Sequence, residues 1–171
     1  MENYIVLHGV KMELTEDQIK LATKNIKAEK SEMELAFARV KEGDIYSYIC
    51  ADGTTNGFTE WSDHSDDDLF DVANYCKSKL LMEQRALQEI LSRQLWRFSL
   101  LNGGDRINIE DYRLQKYFIY WNMNSKDFRV SYDCDFYKTT VQYFVSREIA
   151  ERAIKEIVIP FIEKHPEFKY A

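Results

Sequence analysis

The stretch Asp63-His64-Ser65-Asp66-Asp67-Asp68 places four carboxylates and an imidazole within six residues. Hard oxygen ligands with one nitrogen can hold a divalent cation. The same carboxylates can form a negative surface for a basic partner, or stand in a solvated loop. A calcium loop would need a central glycine and a terminal glutamate, and neither is present. The negative surface gains from its surroundings. From Glu42 to Cys76 run nine acids, Glu42, Asp44, Asp52, Glu60, Asp63, Asp66, Asp67, Asp68 and Asp71, without one lysine or arginine. The chain has 29 acids and 23 bases, so the charge of −6 is a segment of −9 against a remainder of +3. A concentrated field of this kind steers a basic partner at long range. Carboxylates spaced along a surface can imitate phosphates and occupy a groove meant for nucleic acid.

Other residue types carry less. The three histidines, His8, His64 and His165, all fall in expected loops and have no Cys or Ser partner at a motif spacing. Cys50, Cys76 and Cys134 are odd in number and far apart, against a disulfide or zinc framework. The expectation is a non-enzyme with no metal and no cofactor. Eleven tyrosines, ten phenylalanines and three tryptophans make the chain rich in aromatics. Tyr46, Tyr48, Tyr117, Tyr120, Trp121, Tyr132, Tyr137 and Tyr143 could stack bases, pack a core or anchor a protein interface. Arg106, Arg113, Lys116, Lys126, Arg129 and Lys138 make the C-terminal segment the less acidic one. The joint Asn102-Gly103-Gly104-Asp105-Arg106 reads as a turn or, through its amides, as an anion cradle. It matches no phosphate-loop or dinucleotide fingerprint.

The elements that position these residues follow from periodicity. Tyr4 to Leu7 and Val10 to Leu14 read as a hairpin about His8-Gly9. Thr15 and Gln18 form a capping box that opens a long helix. Ile19, Ala22, Ile26, Glu29, Met33, Ala36 and Val40 fall at spacings of three and four, a seam for packing or for homodimerisation that Glu29 interrupts. Ile45 to Ile49 is a strand, Ala51-Asp52-Gly53 a turn, Phe58 to Trp61 a return strand and Val72 to Cys76 a third. Ser78 starts a helix to about Arg97 with an apolar stripe of Leu80, Leu81, Leu87, Ile90, Leu91 and Leu95. Tyr117 to Trp121, Phe128 to Tyr132 and Val141 to Val145 repeat the order, and Ser146 starts a helix with Ile149, Ala150, Ala153, Ile154 and Ile157 on one face. At an offset of 68, Tyr75, Ser78, Lys79, Leu81 and Glu83 match Tyr143, Ser146, Arg147, Ile149 and Glu151. The expected fold class is α+β: an N-terminal β-hairpin and long helix over 1–42, then two β-β-β-α modules with antiparallel sheets over 43–101 and 102–171. No signal peptide or membrane span is expected.

The run Asn102-Gly103-Gly104-Asp105-Arg106-Ile107-Asn108, the strand Lys116-Tyr117-Phe118-Ile119-Tyr120-Trp121 and the stretch from Val141 to Ile154 resemble small accessory proteins of Firmicutes phages and prophages. Gly43-Asp44-Ile45-Tyr46-Ser47-Tyr48-Ile49, Asp52-Gly53 and Asn74-Tyr75 look like the same family, as does the start from His8 to Lys20. At Cys76-Lys77-Ser78-Lys79-Leu80 the sequence departs from the commoner cap followed by two glutamates. The resemblance implies a phage-encoded protein of the host bacterial cytoplasm, dispensable for the virion. Such proteins often look like inhibitors of host defence, anti-CRISPR proteins among them. The resemblance carries over no catalytic residue. The expected function is therefore inhibition of a defence protein with a basic nucleic-acid-binding groove. Asp63, Asp66, Asp67, Asp68, Asp71 and Glu60 would supply the charge, and Phe58 and Trp61 the apolar anchors. Neither direct nucleic-acid binding nor a membrane is expected. The alternatives are a nucleic-acid-binding or small-nucleotide-sequestering accessory protein, and a metal-dependent nuclease.

Overall fold

In the computed structural model, the described residues are 4–7, 10–13, 15–21, 34–134, 138 and 141–169, with only the backbone described at 4–7 and 10–13. The chain divides into two compact units. The first comprises Met1–Tyr48 and Asn56–Lys79, the second Ile49–Thr55 and Leu80–Ala171. The fold is mixed α/β with small antiparallel sheets. No helix of the described residues is long and apolar enough to cross a membrane.

In the first unit, β1 (Tyr4–Leu7) and β2 (Val10–Glu13) pair antiparallel from Tyr4↔Glu13 to Leu7↔Val10. The expected His8-Gly9 turn, and Leu14, lie outside the described residues. The capping box forms as its spacing requires: the Thr15 amide donates to Gln18 Oε1 at 2.9 Å, and the Gln18 amide to Thr15 Oγ1 at 3.3 Å. Residues 16–21 and 34–37 are helical, and Arg39 lies beyond the end of the second stretch. Ala22, Ile26, Glu29 and Met33 of the expected seam are outside the described residues. Val40 is not on a helix, so the seam does not extend to it. Its amide instead donates to the Tyr75 hydroxyl at 3.0 Å.

β3 (Ile45–Ile49) pairs with β4 (Thr55–Thr59), a return strand three residues earlier at its start than expected. Two further expectations fail after it. The acidic stretch is not a loop but the start of α1 (His64–Asp71). Val72 to Cys76 is not a strand: Ala73 adopts φ 55°, which an extended run does not accommodate, and only Cys76 pairs, through a single antiparallel bridge to Ser47. The first segment therefore lacks the third strand.

In the second unit, α2 (Lys79–Leu101) runs four residues beyond its expected end. Its buried residues are Met82, Ala86, Phe98 and Ser99, whereas Leu80 is 61% exposed. Of the expected stripe, Leu95 packs on the core beside Phe98, and Leu87, Ile90 and Leu91 are half-buried, so only its first turn, Leu80 and Leu81, is exposed. β5 (Lys116–Asn122) is the centre of a three-stranded sheet, between β6 (Asp127–Asp133) and the two-residue β7 (Tyr143–Phe144). The register runs from Lys116↔Asp133 to Asn122↔Asp127 on one side and joins Phe118↔Tyr143 on the other. Ser146 caps α3 (Arg147–Ala153), accepting from the Ile149 amide at 3.3 Å. Phe98, Phe144, Ala150 and Ala153 form the core, with Ile149 and Ile157 packed against it. Pro160 has no amide to continue the α ladder, and the turns before it, Ile154–Val158, widen to a π-helix before α4 (Ile159–Lys164).

Lys116 is buried, and its Nζ donates to the carbonyls of Asp111 (2.9 Å), Cys134 (3.1 Å) and Leu114 (3.3 Å). Three donors meet three acceptors, which satisfies the ammonium without removing it from a polar shell.

Gly104 permits a close approach: a Cβ there would stand 2.2 Å from Ser99 Oγ and 2.8 Å from the Ser99 backbone. Gly43 has φ +89° with nothing within 4 Å. Gly43→Ala should cost about 1 kcal/mol from backbone strain alone. Gly104→Ala should cost about 3 kcal/mol, because the Ser99 backbone must move. Urea denaturation of both variants checks the order.

Candidate functional site

The candidate surface is α1 with the residues that hold it. Asp63 is the N-cap: its Oδ1 accepts from the amides of Ser65 (2.9 Å) and Asp66 (3.1 Å). Asp66, at the third helical position, returns the bond through Oδ2 to the Asp63 amide at 3.3 Å. This reciprocal box, with Asp66 and Asp67 in the first turn near the positive end of the helix dipole, explains why a run of acids starts a helix here.

Asp66 has a second task. It is fully buried, and it also accepts from the Tyr46 hydroxyl (2.7 Å) and the Trp61 amide (2.7 Å). Glu60 is equally buried and collects four donors: Arg39 Nη2 (2.8 Å) and Nε (3.1 Å), the Tyr75 hydroxyl (2.6 Å) and the Ser62 amide (3.0 Å). The Tyr46 and Tyr75 rings stack at 3.9 Å and 20°. Arg39 also pairs with Asp67 and lies over the Phe70 ring.

Burial alone would raise both carboxyls. For Glu60 the hydrogen bonds from Arg39, Tyr75 and Ser62 outweigh it, and for Asp66 those from Tyr46, Trp61 and Asp63 do. Both carboxyls therefore lie below their ordinary range. Burial and the bond to Glu60 push Tyr75 up to about 12, and burial and Asp66 raise Tyr46 further.

The expected binding residues separate into two groups. Glu60 and Asp66 face inward and cannot contact a partner, because their oxygens are occupied within the unit. Asp63, Asp67, Asp68 and Asp71 are exposed, with Trp61 at 59% and Phe58 at 43%. On α1, Asp66, Leu69 and Phe70 share the inward side, and His64, Asp67, Asp68 and Asp71 share the other by helical spacing. His64 Nδ1 is 3.5 Å from Asp68. Seven of the nine acids are exposed, so the negative field survives the loss of two. The sequence reading missed Val72, an exposed apolar residue at the end of α1, and Phe70, which leaves part of its ring exposed while packing edge-on to Tyr75. It also missed Arg39, which stands three residues before the base-free segment and neutralises part of it. Among the described residues, no group of three His, Cys, Asp or Glu side chains could hold a metal ion.

The basic residues of the second module fare differently. Lys116 is buried, while Arg113, Arg129 and Lys138 pair with Asp111, Asp127 and Asp133. Arg106 and Lys126 are exposed. Of the eight aromatics considered for stacking, Tyr120 and Tyr132 are exposed; Tyr137 lies outside the described residues. Of the expected seam, Ile19 and Ala36 are half-buried, and the Ala36 carbonyl accepts from the Lys77 amide (2.9 Å) and Cys76 Sγ (3.2 Å).

Asp66→Ala strands the Tyr46 hydroxyl and two amides and should cost about 3 kcal/mol, against about 1 kcal/mol for Tyr46→Phe. Hydrogen exchange at the Trp61 and Asp63 amides reads both. The pH dependence has two edges. The depressed carboxyls contribute stability above their ordinary values of 3.8 and 4.5 and lose it as pH falls through the lowered ones. The raised tyrosines contribute fully below about pH 10 and lose it as pH rises through the value near 12 of Tyr75. Exchange protection of this unit should be flat between about pH 5 and pH 10 and fall on both sides. No protein-family model matches the chain, and no curated protein or solved structure matches it either.

Proposed function

We propose that the protein is a non-catalytic inhibitor that binds the basic nucleic-acid groove of a bacterial defence protein through the outward side of α1. The observation that carries this reading is the exposure of Asp67, Asp68 and Asp71 on a helix whose inward side is fixed by Asp66. A helix held by its own unit presents charge with little further ordering on binding, which favours affinity. Its carboxylates imitate successive phosphates, and Trp61 and Phe58 supply apolar area beside them. The phage context is that of the accessory proteins the sequence resembles, and anti-CRISPR proteins are its leading example. The match of Tyr75 and Tyr143, both buried, and of helices starting at Lys79 and Arg147, supports reading the two segments as diverged relatives, with a single bridge at Cys76 in the first where the second has its third strand. Self-association belongs to the proposal only through the helical segment that includes Ile19, and Val40 has no part in it. The competing nucleic-acid reading loses Lys116 to the interior and three further bases to ion pairs.

Asp68→Asn with Asp71→Asn removes two outward charges and leaves the cap, Asp66 and the Arg39 pair untouched. Capture from lysate of a host bacterium, followed by titration of the recovered partner, should show binding weakened roughly 10-fold with a flatter salt dependence. Trp61→Ala should weaken it at all salt concentrations. Unchanged binding in the double variant, or recovery of nucleic acid in place of a protein, would reject the acidic-face reading.

A further inference from the structure

The Asn102–Arg106 joint, which the proposed function leaves unused, borders a cavity of about 400 Å³ in the second unit. Leu101, Ile107, Leu114 and Val145 form its apolar walls, and among the described residues Arg106 is the one charged member of its lining. Leu101 is 78% exposed at the mouth. The two lining amides are already engaged. Asn102 donates to the Phe98 carbonyl (2.8 Å) and accepts from Arg152 (3.3 Å), and Gln115 accepts from the Tyr117 hydroxyl. The Arg106 guanidinium has no ion-pair or hydrogen-bond partner among the described residues. Most other arginines of this unit do: Arg85 and Arg93 have Glu89, Arg113 has Asp111, Arg129 has Asp127 and Arg152 has Glu156.

We propose that this cavity binds a carboxylate carried on a compact apolar body. Three physical constraints select that class. The volume lies in the range of small-molecule sites. A neutral apolar ligand would cover Arg106 without giving it a partner, which costs free energy. A phosphate dianion would need a second cation, and the described residues of the lining include none. A singly charged carboxylate accepts the guanidinium fork through both oxygens while its body covers Leu101, Leu114 and Val145. A free short-chain acid and the C-terminus of a peptide ending in an apolar residue share this chemistry.

The test uses the full chain and two probes, octanoate for the free acid and N-acetyl-leucine for the chain terminus, followed by NMR chemical shifts and calorimetry. At least one should bind at millimolar concentration and shift the amides of Arg106 and Val145. The neutral counterparts, octanamide and N-acetyl-leucinamide, should bind at least about 10-fold more weakly. Arg106→Gln should remove the preference for the acid, and Val145→Trp, which fills the cavity from its rim, should abolish binding of both forms. Whichever probe binds identifies the source. Equal binding of acid and amide, binding unchanged by Arg106→Gln, or no shift with either acid would overturn the proposal.

Discussion

Two carboxylates without access to water govern the first unit. A buried charge is costly unless every lone pair finds a donor, and a half-satisfied network is worse than an apolar one. Glu60 and Asp66 therefore dictate much around them. Glu60 requires Arg39, Tyr75 and the turn at Ser62, while Asp66 requires Tyr46 and the amides of Trp61 and Asp63. The two tyrosines stack, which joins the two sets of bonds into one. Among the described residues, no buried side-chain nitrogen or oxygen is left without a partner. The start of α1 follows from this arrangement, and so does which of its acids look outward.

The division of the acids also changes the meaning of the charge count. A segment of −9 reads in sequence as one uniform surface, yet its two buried members are what orient the others. Arg39 links the layers, holding Glu60 from inside and Asp67 from outside. The exposed charge is thus carried on a rigid element rather than on a solvated loop, a distinction that matters for any partner because the ordering is complete before contact.

Local signals were legible. Thr15 with Gln18, Ser146 before α3, the alternating strands at Ile45–Ile49 and about Tyr117–Trp121, and the face of Ile149, Ala150 and Ala153 all have causes within a few residues. What escaped has causes at a distance, or causes that composition conceals. The partners of Glu60 and Asp66 include Arg39 and Tyr46, about twenty residues upstream, and nothing local marks an acid as buried. Asp63 and Asp66 form a capping box whose signal is hidden within a run of acids. The apolar composition of Val72–Cys76 favours a strand, but the left-handed turn at Ala73 breaks it. On α2, the stripe was legible from Leu87 to Leu95, whereas the exposure of Leu80 and Leu81 in its first turn was not. The candidate surface was accordingly half legible: its charge was visible, whereas its orientation depended on contacts between distant segments.

Lys116 brings a consequence of a different kind. An amine attacks an acylating reagent through a lone pair that must be reachable, and this nitrogen is buried with three carbonyls within hydrogen-bond distance. The lysine is thereby chemically masked while the loop from Asp111 to Gln115 stays seated. Its nucleophilicity becomes a measure of that seating, visible against the exposed lysines of the same chain, such as Lys126, as an internal standard.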